Sequence, residues 1–338
     1  IGILPPAASA GVGVVIVLQL MRLAQCFGRG GTWGGGILMA YENVPENKRS
    51  FYAAIPQIGL PIGFGLSSIL IAVPTLLLPE DIFFTWGWRI PFLAAIILTV
   101  IVIRQKGEMM ETEDYKKAQA KLEAEEAEGK KHKVGFIPMV KGYWKTLLLG
   151  CGTRWVDGTF YNIFIVWILS YCINWLGMPL IQTYIITIIA CIFKIPFTLF
   201  GGWCAQKLGN TRTFVIGALA SAVLSIPTLK VIELSKGNLA ITIIGIVLGW
   251  SIAYNLIWAV ISSLWSSYFE TEVRYSGISF VYHVPSFLVA GMVPTICTLL
   301  INYGNGDTIY VGIYSTVVAL ISAACALALK ARHDRGEK

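Results

Sequence analysis

Long apolar runs alternate with short polar connections along this chain, and the runs have the length of a membrane span. Nine of them lie near residues 12–42, 50–78, 86–104, 144–174, 180–205, 212–234, 239–266, 276–303 and 309–330. About 20 apolar residues in a helix cross roughly 30 Å of hydrocarbon, so each run predicts a transmembrane helix. Proline breaks several, as in IPQIGLPIG at 55–63 and FKIPF at 193–197. Such breaks are tolerated where neighbouring helices re-satisfy the freed backbone groups. The runs are too long and too continuous for the alternating strands of a closed barrel. The predicted fold class is an all-α membrane protein.

Composition strengthens this reading. Of 338 residues, 56% are hydrophobic and 13% charged, where a soluble domain carries about 25% charged residues. Mean hydropathy is +0.68. The net charge of +7 could suggest nucleic acid, but its distribution points to membrane orientation. If the loop PENKRS at 45–50 is cytoplasmic, nineteen of the 26 basic residues fall on that side, as the positive-inside rule expects. Lys230, Lys236 and Arg89 lie opposite, and Arg22, Arg29, Arg154 and Lys194 fall within the runs. The seven cysteines (Cys26, Cys151, Cys172, Cys191, Cys204, Cys297 and Cys325) form no CxxC pair. Neither a disulfide framework nor a metal or cofactor site is expected from them.

The polar stretch 104–142 holds EMMETEDYKKAQAKLEAEEAEGKKHK, rich in helix formers and i,i+4 charge pairs. It reads as a solvated cytoplasmic helix or, alternatively, a docking site for a partner. Three runs precede it and six follow. The chain opens IGILPPAASAG, without Met or a signal-peptide n-region. If six-helix halves are built from nested three-helix repeats, three helices are missing in front, and a fragment is expected.

The residues inside the runs carry the candidate chemistry. Arg154 and Asp157, in TRWVDGTFYNIF, are i,i+3 neighbours able to pair. They are either a self-neutralising structural pair or a protonatable carboxylate, Asp157, whose charge Arg154 modulates. Asp157 is the one acid deep inside a run; Glu42 and Glu233 lie nearer ends. Lys194 is about a dozen residues from either end of its run and beside Pro196, a pattern pointing to a midplane cavity. Arg29, Arg154 and Lys194 outnumber Asp157 by three to one, a balance favouring an anionic substrate such as a small carboxylate. His283, in FVYHVPSFL, suits a proton relay or an interhelical hydrogen bond. Trp33, Tyr161, Trp167, Tyr254, Trp258 and Tyr282 are candidate cavity aromatics, although most tryptophans are expected to pack against lipid or helices.

The run RLAQCFGRGGTWGGG at 22–36 places Gly30/Gly34 and Gly31/Gly35 at small-xxx-small spacing. Such faces let backbones approach closely, either as plain helix packing or as surfaces that slide during a conformational change. Trp33 falls where a dinucleotide fingerprint starting at Gly28 needs glycine, and no βαβ unit surrounds it. An Arg at bilayer depth costs roughly 2.5–3.5 kcal/mol on insertion scales, so Arg22 and Arg29 should face partners or a wet cavity. One heptad separates them, which puts both on nearly one face, about 10 Å apart along the axis.

Four stretches in order carry a family resemblance: RLAQCFGRGGTWGGGILMAYENVPENKRSFYAAIPQIGLPIG from 22, WGWRIPF at 86–92, GGWCAQKLGNTR at 201–212 and VRYSG at 273–277. The chain resembles the major facilitator superfamily, and within it the metabolite:proton symporter family, over essentially all its residues. The resemblance implies two helical bundles around a central cavity, alternating between inward-open and outward-open states, with nine of twelve transmembrane helices present (3 + 6). It implies residues 1–104 as the second half of the N-terminal bundle and 105–142 as the cytoplasmic central loop. Residues 143–330 would be the C-terminal six-helix bundle and 331–338 a cytoplasmic tail. Arg22 and Gln25 occupy the family's Arg-x-x-Gln motif, which it links to proton coupling. Departures are Cys26 for the usual Gly, Arg29 for an apolar residue, Thr32 for an acid in many members, and Asp157-Gly158 for Glu-Asn. Gly202, Gln206, Lys207, Gly209 and Arg212 form a degenerate copy of the superfamily's loop motif, with Arg274 in VRYSG also on the gating side. Gln206 replaces the preferred Asp, thought to cap a neighbouring helix and latch the outward-facing state. Gln keeps a hydrogen bond and loses a charge–dipole attraction of about 0.3–1 kcal/mol.

The implied activity is proton-coupled symport of a small organic acid across the cytoplasmic membrane, by a monomer that binds no nucleic acid. A zwitterionic osmolyte, which the family also carries, or a membrane sensor without flux, are the alternatives. An enzyme is not expected, since one deep acid, one span histidine and no HExxH or GxSxG supply no convergent catalytic set.

Overall fold

The computed structural model describes residues 2–5, 11–29, 32–42, 44–106 and 136–337, and every regular element among them is a helix. Among the described residues, eight helical stretches are long and apolar enough to cross a membrane: Arg49–Leu77, Gly87–Arg104, Pro138–Asn174, Leu180–Leu208, Asn210–Leu234, Leu239–Ser266, Val273–Tyr303 and Ile309–Asp334. They match eight of the nine expected runs. The run at 12–42 appears as Val12–Arg29 and Thr32–Glu42, and its apolar part, Val12–Gln25, is shorter than a span. Most of the polar stretch expected at 105–142 lies outside the described residues.

The breaks inside the spans follow the sequence. Pro56 starts a short 3-10 turn, Pro56–Ile58, between Arg49–Ala54 and Gly59–Leu77, because proline cannot donate to the preceding turn. Two six- and seven-residue π-helical segments, Asn162–Trp167 and Val247–Ala253, interrupt the long spans. They are absent from any reading of the hydrophobic pattern. Such segments are rare and frequent at functional sites.

The turn between Leu180–Leu208 and Asn210–Leu234 is a single residue, Gly209, at φ +90° and ψ 152°. L side chains avoid that conformation, so the glycine of the loop motif is a backbone requirement here. Asn238 caps the next helix by accepting from the Ala240 and Ile241 amides at 3.1 and 3.2 Å. At this same end of the Asn210–Leu234 helix, Glu233 accepts from the Thr308 amide at 2.8 Å, and Lys230 reaches Asp307 at 2.7 Å. This ties the Asn210–Leu234 helix to the start of Ile309–Asp334.

The buried core is centred on the spans after residue 136. Trp250, Tyr254, Trp265, Phe160 and Phe164 are among its largest fully buried side chains. Exposed apolar residues such as Ile192, Phe193 and Val223 cover the outside, the arrangement suited to a lipid solvent.

Candidate functional site

Lys194 sits in the middle of Leu180–Leu208 and is 0% exposed. Its Nζ lies 4.4 Å from the ring centroid of Trp250 and 4.3 Å from that of Tyr254, yet has no hydrogen-bond acceptor among the described residues. Trp250 lies within the π-helical segment and Tyr254 directly follows it. The backbone beneath the lysine is fixed independently of its side chain: the Lys194 carbonyl accepts from Asn255 Nδ2 at 2.7 Å and Thr198 Oγ1 at 2.9 Å.

A buried ion pair adjoins this lysine. Arg154 pairs with Asp157 Oδ2, and Tyr254 Oη donates to Asp157 Oδ1. Asp157 is buried, and the Arg154 guanidinium lies 4.4 Å from the Tyr282 ring centroid while donating to Ser286 Oγ at 3.3 Å. Phe160 stacks on Tyr254 at 6.2 Å. Tyr254 therefore joins the two charge centres, offering its face to Lys194 and its hydroxyl to Asp157.

This geometry changes the charge balance read from the sequence. Arg154 is spent on Asp157, and the Arg29 side chain lies outside the described residues. The positive excess of the described site rests on Lys194 alone. Two aromatic faces give a cation a worthwhile but incomplete environment, whereas a buried charge normally requires a hydrogen-bonded counter-ion. Lys194 is thus a fully buried cationic side chain with two aromatic neighbours and no acceptor among the described residues.

The model of the Major Facilitator Superfamily matches residues 1–294. The chain belongs to the Major Facilitator Superfamily. It is a multi-pass protein of the cytoplasmic membrane. The chain is 29% identical to the shikimate transporter of Escherichia coli over 98% of its length and 74% of the relative's. It is 30% identical to an inner membrane metabolite transport protein of Escherichia coli, covering 99% and 74%. A proline/betaine transporter of Salmonella typhimurium is 26% identical, covering 99% and 66%. Among solved structures, a proton:xylose symporter of the superfamily superposes with a TM-score of 0.64 at 16% identity, over 86% of this chain. The chain spans 65% of that symporter's length, and the likeness shows the fold.

The superfamily's loop motif lies where the segments on either side of residue 136 meet. Gln206 Oε1 accepts from the Phe51 amide at 3.4 Å and Gln206 Nε2 donates to the Asn47 carbonyl. It thus caps the first turn of Arg49–Ala54, the contact expected of the motif's acid. A Cβ at Gly202 would come 2.7 Å from the Ala54 Cβ, so the glycine is what lets these helices cross. Lys207 is exposed and lies over the Trp203 ring at 4.4 Å, and Arg212 is exposed. Arg274 donates to the Phe269 carbonyl at 3.2 Å and lies 5.8 Å from the Tyr41 ring centroid, which Arg49 approaches to 5.3 Å.

Gln206→Ala is expected to speed hydrogen exchange across residues 47–54 by about tenfold, since two bonds of about 0.5–1.5 kcal/mol each are lost. Gln206→Asp should slow it toward or below the wild-type rate by adding a charge at the helix start. Exchange unchanged in both variants would remove Gln206 from the latch.

The remaining sequence candidates are scattered. Trp258 Nε1 donates to the Gln57 carbonyl at 3.1 Å, and Gln57 Nε2 donates back to the Trp258 carbonyl at 3.2 Å. In this conformation Trp258 ties its helix to the Pro56–Ile58 turn. Tyr161 is half-buried, edge-on to Phe64 at 5.9 Å. His283 is exposed, with its ring 5.1 Å from Tyr282. Arg22 and Gln25 are exposed, while the Trp33 side chain, like that of Arg29, lies outside the described residues. A Cβ added at Gly35 would meet no atom within 4 Å among the described residues. Sequence reasoning missed Trp250, Asn255, Gln57 and Ser286. Asn255 and Gln57 left a signal, each as an amide inside an apolar run.

Proposed function

We propose that the protein is a proton-coupled symporter of a small organic carboxylate, working by alternating access. The observation that carries this reading is the fully buried Lys194 ammonium, boxed by Trp250 and Tyr254 and lacking an acceptor among the described residues. A substrate carboxylate supplies the missing acceptor. The relative named for transport of shikimate, a carboxylate, supports an anionic substrate, and the superposed proton symporter supports the coupling ion.

Asp157 serves as the proton site. Ionised, it accepts from Tyr254 and neutralises Arg154. Protonated, it no longer balances the guanidinium, and the released Arg154 adds a second cation for the incoming carboxylate. Proton and substrate then favour each other's binding, each by the same factor as linkage requires, which couples their passage. Arg22, Gln25 and His283 are further proton-coupling candidates, and Arg29, Trp33, Tyr161 and Trp258 further substrate candidates, in other conformations of the cycle.

The test uses de-energised vesicles holding the protein. Adding a panel of small carboxylates and zwitterions, each carboxylate transported should alkalinise the external medium. Alkalinisation with zwitterions alone would replace the substrate class by the osmolyte reading, to which the proline/betaine relative lends weight. Ligand-induced quenching of tryptophan fluorescence without any pH change would favour a sensor.

A further inference from the structure

Trp250 and Tyr254 form an aromatic cage, and the cage is already full. Aromatic faces within about 6 Å of a cation are the general means by which proteins recognise onium groups. Here the cation is the protein's own: the Lys194 ammonium sits 4.4 and 4.3 Å from the two ring centroids. Asp157, hydrogen-bonded to the Tyr254 hydroxyl and neutralised by Arg154, fixes the orientation of one wall. Without the lysine side chain, the same walls would offer an onium group two π faces beside a neutral ion pair.

We propose that Lys194 is the specificity-determining residue between anionic and onium-bearing substrates: its tethered ammonium occupies the cage and shuts out a substrate's own cation. The inference rests on the carboxylate reading above for the wild-type substrate, but the cage is tested separately. An ammonium at Lys194 attracts a carboxylate and repels the cationic end of a zwitterion in one step, so a single side chain gives both halves of the selectivity. The emptied cage would take a quaternary ammonium or a comparable onium group. Because the Lys194 carbonyl is held by Asn255 and Thr198, removing the side chain leaves the backbone supports of the cage in place.

The experiment measures equilibrium binding of radiolabelled glycine betaine, with tetramethylammonium as competitor, to the purified protein in nanodiscs. Lys194→Ala is expected to bind betaine about 30-fold more tightly than wild type, the worth of a desolvated cation–π contact, and tetramethylammonium should displace it. Lys194→Met refills the cage with a thioether, and Lys194→Arg with a guanidinium; both should bind betaine no better than wild type. Trp250→Leu in the Lys194→Ala background should abolish the gain. Lys194→Ser gives the same test if the alanine variant does not fold. A folded Lys194→Ala or Lys194→Ser protein with no gain in betaine binding overturns the proposal, as does wild-type protein binding betaine equally tightly. If wild type binds no carboxylate but the alanine variant gains betaine, the cage stands and the carboxylate function falls. If carboxylates bind wild type and no variant gains betaine, the reverse holds.

Discussion

Lys194→Met is expected to abolish carboxylate binding while raising the melting temperature of the protein. The two effects have one cause. Among the described residues the buried ammonium has no acceptor, so the folded protein carries the desolvation cost of a charge that two aromatic faces offset in part. Methionine fills nearly the same space without the charge and keeps favourable sulfur–aromatic contact with Trp250 and Tyr254. Exchanging buried ionic groups for well-packed apolar ones is often stabilising by about 1–4 kcal/mol. Binding moves the other way. Losing one partner of a buried, hydrogen-bonded charge pair costs about 2–5 kcal/mol, which is roughly a 30- to 4,000-fold loss of affinity. Thermal unfolding and ligand binding in nanodiscs would measure both. Unchanged carboxylate affinity would remove Lys194 from the substrate site. Loss of affinity together with a lower melting temperature would make the lysine a structural support.

The parts of this arrangement differ in how far the sequence reveals them, and the reason is the range of the interaction. Spans such as Leu180–Leu208 and Ile309–Asp334 are legible because a membrane demands about 20 apolar residues in a row. The Arg154–Asp157 pair is legible because i,i+3 neighbours share a helix face. Lys194 is conspicuous as a charge in mid-span. What remains hidden is how each charge is used. Counting charges gives Arg154 and Lys194 equal weight, whereas packing spends one on Asp157 and leaves the other without an acceptor. That difference depends on Tyr254, 97 residues from Asp157, and on the π-helical segment before it. The Gln57–Trp258 exchange spans 201 residues and has no local pattern to betray it. Gln206 is an intermediate case. The loop motif predicts a helix-capping role, while the helix it caps is identified only by the fold.

Asp157→Asn should retain exchange of substrate across the membrane and lose uphill accumulation driven by a proton gradient. Asparagine can still accept from Tyr254, so the local shape persists, but it cannot take up a proton or neutralise Arg154. The guanidinium then remains free to meet a carboxylate at every pH, and binding no longer brings a proton with it. Counterflow measured beside gradient-driven uptake separates these outcomes; accumulation that persists with wild-type pH dependence would take the coupling role from Asp157. The same variant has a stability signature. Breaking a buried pair by removing one partner costs about 3–5 kcal/mol, because the other charge is left uncompensated. Arg154→Gln leaves Asp157 in that position, whereas Arg154→Gln with Asp157→Asn leaves neither charge behind. The double variant should therefore unfold at a higher temperature than either single one, a non-additivity expected for groups in direct contact. If the penalties simply add, Arg154 and Asp157 do not stabilise each other, and the charge exchange proposed for coupling loses its basis.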